Sequence, residues 1–138
     1  MRLRLPSVAL ATILAVSLAA CGGSDSGSAP VQPQYQPQIT NVADSFGFQL
    51  TGVANGDGTL SYTWHNTGTI ASVDRSSAIS AGSVTLTLRD AAGAQVYQGA
   101  LDGATGSVST VAGAAGDWTI VVDFTHTTGT INFRAQKQ

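Results

Sequence analysis

The sequence predicts an all-β domain, an antiparallel two-sheet sandwich of seven or eight strands, and three observations carry that expectation. From Gln38 onward apolar residues recur at alternate positions, the period of a half-buried strand. Turn-forming Asn-Gly, Asp-Gly and Gly clusters interrupt them at about 8–12-residue intervals, the spacing of short sandwich strands. Good helix formers are scarce: the chain has no glutamate and one lysine, Lys137, which argues against a helical bundle.

Taken in order, Phe46, Phe48 and Leu50 alternate with Gly47, Gln49 and Thr51 and predict a first strong strand. Asn55-Gly56-Asp57-Gly58 then predicts a turn, because Asn and Gly tolerate the positive φ that tight turns require. Leu60, Tyr62 and Trp64 form the next apolar face, opposite Ser61, Thr63 and His65, and Asn66-Thr67-Gly68 turns the chain. Residues 69–80 are less regular. Val84, Leu86 and Leu88 alternate with Thr85, Thr87 and Arg89, and Asp90-Ala91-Ala92-Gly93 predicts a hairpin whose second strand is Ala94 to Gln98. Val108 and Val111 mark a weak strand before the glycine-rich turn at residues 112–117. Trp118, Ile120, Val122 and Phe124 are the longest apolar stripe, and Thr128-Gly129 predicts a turn into a last strand with Ile131 and Phe133 inward. The core is expected to consist of both tryptophans, the phenylalanines and these aliphatic stripes. The pattern is equally compatible with an immunoglobulin-like and a jelly-roll arrangement.

The 138 residues carry six basic and eight acidic side chains, a formal net charge of −2, and charged residues are only 10% of the chain. No basic face is available to hold a phosphate backbone, so nucleic acid is not an expected partner. One cysteine allows neither an intramolecular disulfide nor a cysteine-based zinc site.

That cysteine sits in the strongest motif of the sequence. Arg2 and Arg4 precede an uncharged stretch from Val8 to Ala20, shorter than the roughly 20 residues of a spanning helix. It ends in Leu18-Ala19-Ala20-Cys21, followed by Gly22-Gly23-Ser24. This segment resembles the signal peptide and lipobox of bacterial lipoproteins. The resemblance implies cleavage before Cys21, a diacylglycerol on its sulfur, an acyl group such as palmitate on the new amine, and a membrane partner held through that lipid. With Gly22 rather than Asp after the cysteine, it implies the outer membrane in a host with two membranes, and the outer face of the cytoplasmic membrane otherwise. The expected organisation is a signal peptide at residues 1–20, a lipidated Gly/Ser- and Pro/Gln-rich tether at residues 21–37, and the β domain at residues 38–138. Loss of Arg2 and Arg4 takes the formal charge from −2 to −4.

Candidate chemistry in the domain is sparse. Asp57, Asp90, Asp102 and Asp117 lie beside glycines, where several carboxylates from loops can bind calcium, but Asp also favours turns because its side chain bonds nearby backbone N–H groups. His65 and His126 fall at predicted strand ends, and with Asp123 they would approach a metal only if their strands were neighbours; zinc needs at least three protein ligands. Ser107 follows Gly106, but no Gly-x-Ser-x-Gly elbow surrounds it. Tyr97 is out of phase with its apolar neighbour Val96 and shares a phase with Gln95; it reads as a partly covered strand tyrosine, with a weak single stacking platform for a sugar as the alternative. Threonines on the polar phase are explained by their β propensity.

The expected protein is therefore a lipid-anchored cell-envelope lipoprotein with a non-catalytic β-sandwich in a binding, adhesion or structural role, with no catalytic residues, cofactor or metal assigned. Stretches such as Gly82-Ser83-Val84-Thr85-Leu86-Thr87-Leu88-Arg89-Asp90 resemble small secreted bacterial sandwich domains in a generic way. Two alternatives stand beside it: a glycan- or calcium-binding module using Tyr97 and the aspartate turns, with His65 and His126 as weaker candidates, and an accessory hydrolase domain.

Overall fold

Two 22-residue strands organise the structure, a computed structural model that describes residues 29–30 and 34–138. The elements are β1 (Ala29–Pro30), β2 (Gln38–Val42), β3 (Ser45–Asn66), β4 (Ala71–Ser76), β5 (Ala78–Arg89), β6 (Gln95–Ala100), β7 (Thr105–Ser109) and β8 (Gly116–Lys137). β8 pairs antiparallel with β3 along almost its whole length. On its other side it pairs with β4 and then β5, which continue one another across Ser77. That three-strand ribbon bends in the middle, so one continuous sheet supplies both layers of the sandwich. One layer runs β2, the first half of β3, the second half of β8, β4 and β7. The other runs the second half of β3, the first half of β8, β5 and β6.

The strands bend because extra residues are inserted at matched heights. Between the pairs Leu50↔Ile131 and Val53↔Gly129, β3 advances three residues while β8 advances two, and the same happens again before Gly56↔Thr127. β8 takes the compensating extra residue between Thr127 and Phe124. Such bulges raise local twist and curvature. They demand unusual backbone, supplied by Gly52 (φ 69°), Asn55 (φ 49°), Gly58 (φ 134°), His126 (φ 47°) and Gly129 (φ 139°). Two sequence expectations are corrected here. Residues 53–58 and Thr128-Gly129 do not reverse the chain; both lie within long strands. Asn-Gly and Asp-Gly report tolerance of positive φ, and a bulged corner needs that tolerance as much as a hairpin does.

The core follows the alternating phase. Phe46, Phe48, Leu50, Val53, Leu60 and Trp64 of β3 are buried, as are Trp118, Ile120, Val122, Phe124, Ile131, Phe133 and Ala135 of β8. Phe48 stacks on Phe133 at 5.1 Å, and Trp64 meets its cross-strand partner Trp118 edge to face at 5.8 Å. Tyr62 approaches Phe46 at 5.5 Å, which brings the two ends of β3 into contact across the sandwich. The Asp44 N–H donates to the His65 carbonyl at 2.9 Å and ties those ends again. β7 stops at Ser109, and Val111, expected to belong to that strand, is exposed in the crossing loop.

The export signal and Cys21 lie outside the described residues. The far end of the tether is attached to the domain: the Tyr35 hydroxyl receives the Ala54 N–H at 3.1 Å, and β1 pairs in parallel with Gly56 and Asp57.

Candidate functional site

The aspartates are distributed among local hydrogen bonds. Asp90 is the most committed: its Oδ1 accepts the N–H groups of Ala92 and Ala94, and its Oδ2 accepts that of Ala114 at 2.8 Å. It thus closes its own hairpin turn and fastens the loop before β8. The Ala114 bond, with those of Ala94, Ala92 and Gly93, holds its carboxyl below the usual carboxylate range despite partial desolvation. Asp44 is held low in the same way, first by the Thr67 N–H at 2.7 Å and further by the Thr67 hydroxyl and Lys137. Asp102 accepts the Val84 N–H, Asp57 the His126 N–H, Asp123 the Thr59 hydroxyl and Asp74 the Ser107 hydroxyl.

The histidines separate into two exposed pairs. His65 Nδ1 lies 2.8 Å from Asp117, and His126 Nδ1 lies 3.3 Å from Asp57. Their strands are neighbours, but one pair is at the open end of the ribbon and the other at its corner, roughly 25 Å apart along β3 at the usual strand rise. Asp123 stands between the two pairs along β8 and joins neither. Among the described residues no three His, Cys, Asp or Glu side chains gather as a metal site would require.

Tyr97 is partly covered. Its ring packs against the core, and its hydroxyl lies 2.6 Å from where a Gly99 Cβ would stand. The tyrosine covers the sheet where Gly99 has no side chain, and its buried hydroxyl has no hydrogen-bond partner.

A different feature stands on the outer face of the first layer. There a cross-strand row reads Thr40, Gly47, Arg134, Asp74, Ser107 over β2, β3, β8, β4 and β7. The missing side chain at Gly47 opens a polar cleft of about 190 Å³, bordered by Gln38, Thr40, Gln49, Asn132 and Arg134. The sequence held one signal of it: a glycine inside the regularly alternating stretch Phe46–Leu50, where glycine marks a bulge or a close approach.

Neither protein-family models nor curated proteins give a match to this sequence.

Proposed function

We propose that the protein is a lipid-anchored lipoprotein of the bacterial cell envelope whose β domain acts by binding rather than catalysis. The carrying observation is the single cysteine of the chain, Cys21, directly behind Leu18-Ala19-Ala20 at the end of an uncharged stretch that follows two arginines. Acylation there gives the two or more chains that stable anchoring needs, where one chain binds only marginally. The binding role is supported by the commitments of the carboxylates. Each aspartate from Asp44 to Asp123 already has a hydrogen-bond partner within the domain, whereas a general acid or nucleophile must be free to meet a substrate.

The test is Cys21→Ser expressed in a bacterial host with labelled fatty acid. The variant is expected to lose the label and leave the membrane fraction. A variant that still carries label and sediments with membranes would overturn the anchor.

A further inference from the structure

We infer that the cleft at Gly47 is a subsite for one carboxylate-bearing sugar unit, of the uronic acid type, within an acidic polysaccharide. The inference adds a ligand class to the binding role proposed above and rests on it.

The first argument is the glycine itself. At Gly82 and Gly129 a side chain is forbidden, since a Cβ would stand 2.2 Å from a carbonyl oxygen in each case and both have positive φ. Gly47 has no such reason. Its φ lies outside the glycine-favouring region, and a Cβ there would meet Thr40 at 3.6 Å, an ordinary contact. A strand interior disfavours glycine, which packs nothing and loses the most backbone entropy on folding. The fold tolerates a side chain at 47; what its absence provides is the cleft.

The second argument is what borders the gap. Arg134 is exposed and forms no ion pair among the described residues, although Asp74 is its cross-strand neighbour. A guanidinium in that state offers the planar fork that takes a carboxylate through two parallel hydrogen bonds. Around it stand the carboxamides of Gln38, Gln49 and Asn132 and the Thr40 hydroxyl, each able to donate and accept. That set matches adjacent sugar hydroxyls, which likewise donate and accept. An acidic peptide would satisfy Arg134, but its other side-chain carboxylates only accept hydrogen bonds, whereas the carboxamides and the Thr40 hydroxyl offer acceptors as well as donors, which sugar hydroxyls use together. At about 190 Å³ the cleft is smaller than the roughly 300–1,000 Å³ of pockets that enclose a ligand. It suits one unit of a chain lying across the open sheet. Binding to one domain is then weak, on the order of 1 mM, and gains strength from many tethered copies on one polymer.

The experiment is a nuclear magnetic resonance titration of the full chain in detergent with a hexagalacturonate, a neutral hexasaccharide and a hexa-aspartate peptide. Expected are saturable shifts confined to Gln38–Thr40, Gly47–Gln49 and Asn132–Arg134 with the hexagalacturonate. The neutral sugar should bind at least about tenfold more weakly, the usual scale of one charge-assisted bond. Arg134→Gln should bring the acidic sugar down to the neutral one. Gly47→Ala should weaken binding while leaving the melting temperature unchanged or higher. Absent or scattered shifts, equal binding of the peptide, or a Gly47→Ala domain that melts lower and binds unchanged would each overturn the subsite. The Cys21→Ser fractionation reads the anchor separately, so loss of the subsite is distinguishable from loss of the anchored role.

Discussion

Replacing Gly82 by alanine tests whether the two layers are joined by a bent strand or by ordinary turns. Gly82 is the β5 residue opposite the bulge of β8: from Ala81↔Thr128 to Ser83↔Thr125 β5 advances two residues and β8 three, and Gly82 has φ 72°. A Cβ there would stand 2.2 Å from the His126 carbonyl oxygen and 2.4 Å from that of Thr125. Both obstacles are backbone, so relief requires the strands to part by about 1 Å, toward the 3.3–3.6 Å at which carbon meets a carbonyl oxygen. Three contributions set the size. The left-handed backbone costs an alanine about 1–2 kcal/mol, and overpacking against a fixed neighbour costs about 1–3 kcal/mol. The lower unfolded-state entropy of alanine returns about 0.4–1 kcal/mol. The expected loss is about 2–4 kcal/mol. Gly52→Ala is the matched control, with φ 69° and nothing within 4 Å of the added carbon. It carries the backbone and entropy contributions alone and should lose about 0–1.6 kcal/mol. Urea unfolding followed by tryptophan fluorescence gives both values. Equal losses for the two variants would show that β5 and β8 do not approach at Gly82, and the corner would have to be redrawn.

Three further outcomes are expected. Trp118→Ala should cost about 3–5 kcal/mol, since it removes a fully buried ring, its edge contact with Trp64 and its N–H bond to Ala114; a loss under about 1 kcal/mol would place it outside the core. Asp44 and Asp90 both have folded-state values below the ordinary 3.8, so the unfolded chain takes up protons first as pH falls. Their stabilisation is complete above that value and disappears as pH drops through it toward the lower folded values, and Asp90→Asn should flatten the acid limb of a urea-midpoint profile; an unchanged limb would refute the role of Asp90. Thermal melts in chelator, millimolar calcium and micromolar zinc should coincide, because the histidines and aspartates are dispersed in pairs; a rise above about 5 °C, lost with Asp57→Ala or His65→Ala, would show a ligand bound only by the folded state.

The phase of the core was legible because alternation is a local property. Phe46, Phe48, Trp64, Trp118, Ile120, Phe124 and Phe133 are buried as their positions predict. Connectivity was not legible at the corner. The turn residues at 55–58 and 128–129 satisfy the same φ requirement in a reversal and in a bulge, and the difference is decided by what lies opposite. The bulges of β3 keep their pairing because β8 bends at the same height. The His126 N–H reaches Asp57 at 2.7 Å, and Thr128 Oγ1 accepts the Asn55 N–H at 3.0 Å. Those contacts span about seventy positions of sequence, beyond the reach of any local pattern. What covers Tyr97 was not legible for a related reason: its hydroxyl lies over Gly99, which has no side chain to stand there.

Glycine content links the stability of this fold to its surface. At Gly82 and Gly129 glycine is required by backbone that approaches within contact distance, and any side chain would open the corner. At Gly99 the space is taken by the Tyr97 ring, so the sheet stays covered. Gly47 is the contrasting case: its backbone is ordinary, its Cβ would fit, and the space stays open between an arginine and three carboxamides. A strand under selection for stability alone would carry a β-branched residue there, because the entropic cost of glycine brings no conformational return at that φ. The two kinds of glycine therefore respond oppositely to alanine. One loses stability without reference to any ligand; the other keeps stability and loses the cleft.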